Sequence, residues 1–153
     1  MKSFKLLILF IFFGFSACQT KNNSVSKSTI TFIKSQHKNR HNAPFSEAVE
    51  VNGLLFLTGQ VGKDHSMGTV VEGGIEAETR QVLTNIKEVL EANGSDLNHV
   101  VKCTVILSDI RDFSAMNEVY RTFFVENKPA RTTFAADLVP SYKIEIEVVA
   151  AKK

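Results

Sequence analysis

Residues 74–107 read GIEAETRQVLTNIKEVLEANGSDLNHVVKCTVIL, and the spacing of their apolar side chains changes partway along. Ile75, Thr79, Val82, Leu83, Ile86, Val89 and Leu90 recur at steps of three and four, which lines up one stripe on a helix. Asn93-Gly94 then offers the left-handed backbone that stops it. Beyond the stop, Val101, Cys103, Val105 and Leu107 alternate with Val100, Lys102, Thr104 and Ile106. A period of two is a strand.

Working outward, Phe113, Met116, Val119, Tyr120, Phe123 and Phe124 form a second helical stripe, with Asp112 as its N-cap. Residues 131–136 and 143–151 read as the last two strands, separated by a turn around Pro140-Ser141. Upstream, residues 47–51 and 54–58 flank Asn52-Gly53, the strongest short-range hairpin signal. Residues 29–34 suit an edge strand and 37–42 a polar loop, while 59–74, with its five glycines, reads as a long loop. The order β, β-hairpin, α, β, α, β, β predicts a single α+β domain over 29–153, a mixed β-sheet packed on two helices. Two helices shield one face. The other is solvated or pressed against another subunit. Arg131, Thr133 and Ala135 alternate with Thr132, Phe134 and Ala136, and such mixed faces suit an interface with pockets better than a dry core.

The chain has 153 residues, 44% of them apolar, room for one domain. Its net charge of +2 comes from Lys2 and Lys5, and the rest carries equal numbers of acidic and basic side chains. That balance removes the electrostatic case for nucleic acid, so no nucleic-acid partner is expected. Lys2 and Lys5 precede an apolar run at 6–15, broken only by Gly14 and followed by Ser16-Ala17-Cys18. These are the parts of a secretory signal peptide over 1–17, and the run is too short to span a membrane. Phe15-Ser16-Ala17-Cys18 resembles the bacterial lipobox, which implies lipid on Cys18 and a membrane anchor; ordinary cleavage with Cys18 incidental is the alternative. Two or more acyl chains hold a protein stably at a membrane. Residues 18–28 would then be a polar tether. Gln19 is not Asp, and by analogy that favours the periplasmic side of the outer membrane.

Several chemistries lack their residues. His37, His41, His65 and His99 make no metal-ligand cluster with cysteine, and His37 and His41 lie in a polar stretch where solvated side chains are expected. No metal and no cofactor is expected. There is no G-x-S-x-G elbow and no phosphate loop ending in Gly-Lys-Ser/Thr. Gly73-Gly74 reads as a helix-entry turn, and Cys103, mid-strand, as an inert core thiol. Two features survive. Pro129-Ala130-Arg131-Thr132-Thr133 sets an arginine at a strand start, and Ile144-Glu145-Ile146-Glu147 puts both carboxylates on one sheet face. A guanidinium fork receives a carboxylate through two parallel donors, and a nearby carboxylate can orient a water. On composition alone the same pattern fits a solvated face with a surface arginine.

Larger segments resemble the RidA (YjgF) family. Asn42-Ala43-Pro44-Phe45-Ser46-Glu47-Ala48-Val49, Leu55-Phe56-Leu57-Thr58-Gly59-Gln60-Val61 and Glu78-Thr79-Arg80-Gln81 followed by Asn85-Ile86-Lys87 carry the likeness first. Val101-Lys102-Cys103-Thr104-Val105, Phe113 to Tyr120, Pro129-Ala130-Arg131 and Ile144-Glu145-Ile146-Glu147 continue it. The resemblance implies a fold like trimeric chorismate mutase, a homotrimer with sites in clefts between subunits. It implies 2-imino acids or their enamine tautomers as substrates, hydrolysed to 2-keto acids and ammonia. Arg131 matches the residue that grips the substrate carboxylate and Glu145 the one that positions water; Gly59, Asn117 and Thr133 match lining residues. Phe45 stands where many members have Tyr, so one hydroxyl is missing from the substrate-binding set. Thr133 replaces a frequent Cys, and Glu47 replaces the usual Gln. Two functions are therefore expected in order: an imine deaminase, or a module that uses the same cleft to bind a small carboxylate without turnover.

Overall fold

The computed structural model describes residues 29–139 and 141–153. The expected leader at 1–17, the tether at 18–28 with Cys18, and Pro140 of the last turn lie outside the described residues.

β1 (Ile30–Ile33), β2 (Ala48–Val51) and β3 (Leu54–Leu57) run antiparallel in sequence order. Asn52 and Gly53 close the β2–β3 hairpin with φ of 52° and 77°, the pair of positive values that a two-residue turn of this hand requires. The glycine-rich segment is not a plain loop. It holds β4 (Gln60–Val61), β5 (Lys63–Asp64) and β6 (Thr69–Val70). Strands of two residues are too short for alternation to show in sequence.

Then come α1 (Gly74–Ala92), β7 (Val100–Leu107), α2 (Phe113–Phe123), β8 (Ala130–Ala135) and β9 (Ile144–Ala151). The main sheet runs β1-β2-β3-β9-β7-β8, with β4 also alongside β9. β7 and β8 are parallel and the remaining pairs antiparallel, which makes the sheet mixed. The expected N-cap is displaced. Asp112 is already helical (φ −77°, ψ −5°) and makes no side-chain cap, because a 3-10 turn at Ile110–Asp112 leads into α2. Asp109 does the capping, accepting from the Arg111 amide.

Both helices cover the same face. Leu83, Ile86 and Leu90 of α1 and Met116 of α2 are fully buried, with Leu55, Val105, Leu107, Ile144 and Ile146 of the strands. Each large side chain there contributes roughly 1.5–3 kcal/mol through burial. The opposite face keeps an apolar row: Phe32, Val49, Phe56 and Val149 stand in register across β1, β2, β3 and β9. Phe32 is 69% exposed and Phe134, on β8, 44%.

Candidate active site

Register decides where the two singled-out groups go. Arg131 lies opposite Cys103 on the parallel neighbour β7, and Thr133 lies opposite Val105. Cys103 and Val105 are core residues, so Arg131 and Thr133 share the helix-covered face. Contacts agree with this. The Arg131 guanidinium carbon lies 4.5 Å from the centre of the Tyr120 ring and 5.8 Å from that of Phe113, both on α2. Asn117 is four residues after Phe113 and three before Tyr120, on the same side of that helix. Among the described residues the Tyr120 hydroxyl and Thr133 Oγ1 are buried with no well-formed hydrogen bond. Burial pushes the Cys103 thiol up to about 11, which keeps it protonated and inert. Among the described residues no carboxylate lies within ion-pair distance of Arg131. A half-buried guanidinium with no such partner can receive an anion.

Glu145 belongs to the other face. Ile144 and Ile146, on either side, are fully buried against the helices, so Glu145 and Glu147 point away from them. Glu145 has a dedicated neighbour. Between the β3–β9 pair Phe56/Val149 and the β4–β9 pair Gln60/Ile146, the β3–β4 side advances four residues for three on β9. The extra residue is a bulge, and it contains Gly59. A methyl group on Gly59 would come within 1.9 Å of a Glu145 carboxylate oxygen, so the carboxylate occupies the space a side chain would fill. Burial first, and Glu147 second, hold the Glu145 carboxyl above the usual carboxylate range.

Phe45 stands in the segment that enters β2, 53% exposed, with the Arg40 guanidinium 5.7 Å from its ring centre. The Thr58 amide donates to the Glu47 carbonyl (3.1 Å), which sets the Phe45–Glu47 segment beside Thr58-Gly59. Glu47, in place of the usual Gln, is buried and ion-paired: Arg40 lies 3.4 Å away and Gln60 donates to it at 3.1 Å. His65 completes this network against Gln60 Oε1 at 3.0 Å. Sequence reading missed Arg40, Gln60 and His65, since a polar loop and a glycine-rich segment carry no periodicity to signal burial. It read Tyr120 and Phe113 only as core stripe. Their spacing from Asn117 was the available signal.

The candidate residues thus fall into two groups. Arg131 and Thr133 lie under the helices, near Asn117 of α2; Gly59 and Glu145 lie at the bulge, with Phe45 on the adjoining segment. One chain does not bring Arg131 and Glu145 together. A groove of about 490 Å³ between Ile33–His37 and the second half of α1 contains neither of them. Among the described residues no group of three or more His, Cys, Asp or Glu side chains is placed to hold a metal ion.

Comparison with known proteins bears on the same segments. The family model described as Endoribonuclease L-PSP matches residues 36–152. A mouse protein named 2-iminobutanoate/2-iminopropanoate deaminase is 43% identical over 110 residues, covering 71% of this chain and 82% of its own. Among solved structures, the yeast protein YEO7 is 38% identical with a TM-score of 0.76, covering 82% of this chain and all of that one (100%). Escherichia coli TdcF, solved with bound serine, is 28% identical with a TM-score of 0.72, covering 80% of this chain and 99% of that one. Fold, matched segments and identity agree that this chain belongs to the RidA/YjgF family.

Proposed function

We propose that the protein hydrolyses 2-imino acids, with their enamine tautomers, to 2-keto acids and ammonia. The observation that carries this is the Arg131 guanidinium, half-buried against the Tyr120 and Phe113 rings with no carboxylate of the described residues to occupy it. The deaminase name of relatives at about 43% identity supports the same chemistry, and serine in the TdcF structure supports a small carboxylate ligand.

Arg131 takes the substrate carboxylate through two parallel N–H donors. A protonated imine is electrophilic without further activation, so the remaining need is an aimed water. Glu145, its proton affinity raised by burial, takes a proton as the water oxygen bonds to C2. Glu145 returns that proton to the amine nitrogen, the C–N bond breaks as ammonia leaves, and the C2 hydroxyl loses its proton as the carbonyl of the keto acid forms. General acid–base help of this kind contributes ~10²–10⁴-fold, and fixed orientation much of the rest.

Because Arg131 and Glu145 occupy opposite faces, the working site takes one from each of two chains. The apolar row Phe32–Val49–Phe56–Val149, its two phenylalanines exposed, supplies surface for that association, in a homotrimer. The balanced charge of the chain beyond Lys2 and Lys5 argues against the nuclease that the family description names.

The test generates 2-iminobutanoate with an amino-acid oxidase and traps surviving imine with semicarbazide. Active protein lowers the trapped product; Glu145→Gln leaves trapping high while still binding 2-oxobutanoate, and Arg131→Ala loses both. Wild-type protein that binds 2-oxobutanoate but leaves trapping unchanged would be a binding module instead.

A further inference from the structure

We propose that Tyr120 is a positioning residue for Arg131: the face of its ring fixes the plane of the guanidinium and so the direction in which the fork meets a carboxylate. This rests on the reading of Arg131 as the carboxylate receptor. Arginine has a long, rotamer-rich side chain, and a receptor that must present two parallel donors needs its plane held. Elsewhere a carboxylate or carbonyl does the holding, but an acceptor occupies the donors that substrate needs. Here the holding group is a ring. The guanidinium carbon is 4.5 Å from the Tyr120 centroid, and Phe113, two turns earlier on α2, approaches to 5.8 Å from its own. Attraction to a ring face uses none of the N–H donors, which lie in the guanidinium plane and stay available.

The platform is itself rigid. Tyr120 is 7% exposed, and its ring packs on Phe124 at 4.6 Å between centroids. Its hydroxyl is buried beside Cys103 and Arg131 and makes no well-formed hydrogen bond among the described residues. A buried hydroxyl that makes no well-formed hydrogen bond does little to hold the residue in place. The useful part of the side chain is therefore the ring. Phe113, 38% exposed, is the more open and more distant of the two rings.

Removing the platform should act on capture of the carboxylate rather than on the chemical step. With Tyr120→Leu the affinity for 2-oxobutanoate, measured by calorimetry on the purified full-length chain, should fall about tenfold. KM should rise similarly, while kcat at saturation changes little. Tyr120→Phe should bind as wild type does and melt no lower. Because Leu at this position can disturb the core, fluorinated phenylalanines at position 120 provide the isosteric series. Their shape is kept while the negative ring face weakens, so affinity should fall stepwise with each added fluorine.

A flat fluorine series, or Tyr120→Leu binding as wild type does, overturns the proposal. So does Tyr120→Phe losing as much as Tyr120→Leu, which would assign the role to the hydroxyl. Arg131→Ala separates the two levels. If it retains 2-oxobutanoate binding, the carboxylate receptor itself is misassigned; if it loses binding while position 120 has no effect, only the positioning role fails.

Discussion

At the scale of single residues, Gly59 carries a sharp expectation. Its missing side chain leaves the space that the Glu145 carboxylate fills. The obstructing atoms of Glu145 are the far end of a flexible side chain, so Gly59→Ala should displace the carboxylate and leave the backbone where it is. Thermal stability should stay within about 1 kcal/mol, whereas kcat should fall at least tenfold, as expected when a general base moves by an ångström or more. An intact kcat in the trapping assay would show that Glu145 does not act from this position. His65 provides a second expectation. Burial first, and Arg40 second, push its imidazole down to about 4 from an ordinary 6.5. Between those values the unfolded chain binds the proton that the folded chain refuses. Stability therefore rises as pH goes from 4 to 6.5, is fully present above 6.5, and is lost on acidification by up to ~3 kcal/mol. In urea titrations across that range, His65→Gln should show a correspondingly shallower dependence of the midpoint on pH. None of this burial was legible in the sequence. His65 lies among glycines with no period, and its partner Arg40 is in a stretch whose composition signals solvent.

Secondary-structure elements were far more legible, and the reasons differ from one to the next. α1 announces itself because its nineteen residues carry a stripe long enough to exceed any chance spacing, and Asn93-Gly94 marks its end. The β2–β3 hairpin is announced by chemistry instead, since Asn52 and Gly53 both accept positive φ. Gly53→Ala should therefore cost about 1 kcal/mol, read as a lowered urea midpoint with unchanged slope. Among the described residues no atom lies within 4 Å of the added methyl group, so the loss would be backbone strain. The helix-to-strand switch within 74–107 marks a chain of both helix and strand. What the sequence could not convey was the bulge between β3 and β4. A one-residue slip in pairing depends on β9, more than eighty residues downstream, and leaves no local pattern. That bulge is the feature that seats Gly59 against Glu145. In a similar way Asp112 looked like a cap because capping preference is local, whereas the 3-10 turn beginning at Ile110 moved the cap to Asp109.

For the molecule as a whole, two expectations lie beyond the described fold. If Cys18 is lipidated, Cys18→Ala should shift the protein from the membrane to the soluble fraction of its host, and labelled palmitate should fail to enter it. The second concerns assembly. Alternation in sequence placed Glu145 and Glu147 together and Arg131 against Thr132, but it could not say which face of β9 matches which face of β8. The register of both strands with β7 decides it, and sends Arg131 under α2 and Glu145 to the opposite face. A site that needs both must then be shared. Arg131→Ala and Glu145→Gln should each be inactive alone, because every cleft lacks one of its two groups. Unfolded together and refolded at equal amounts, they form clefts in which an intact arginine from one chain meets an intact glutamate from another. In a closed ring with head-to-tail interfaces, random assortment restores about one quarter of the wild-type sites. Recovered activity near that fraction, absent when the two variants are merely mixed without exchange, would place the reaction between chains. No recovery, with mixed assemblies verified by mass spectrometry, would mean that the two groups do not meet across an interface.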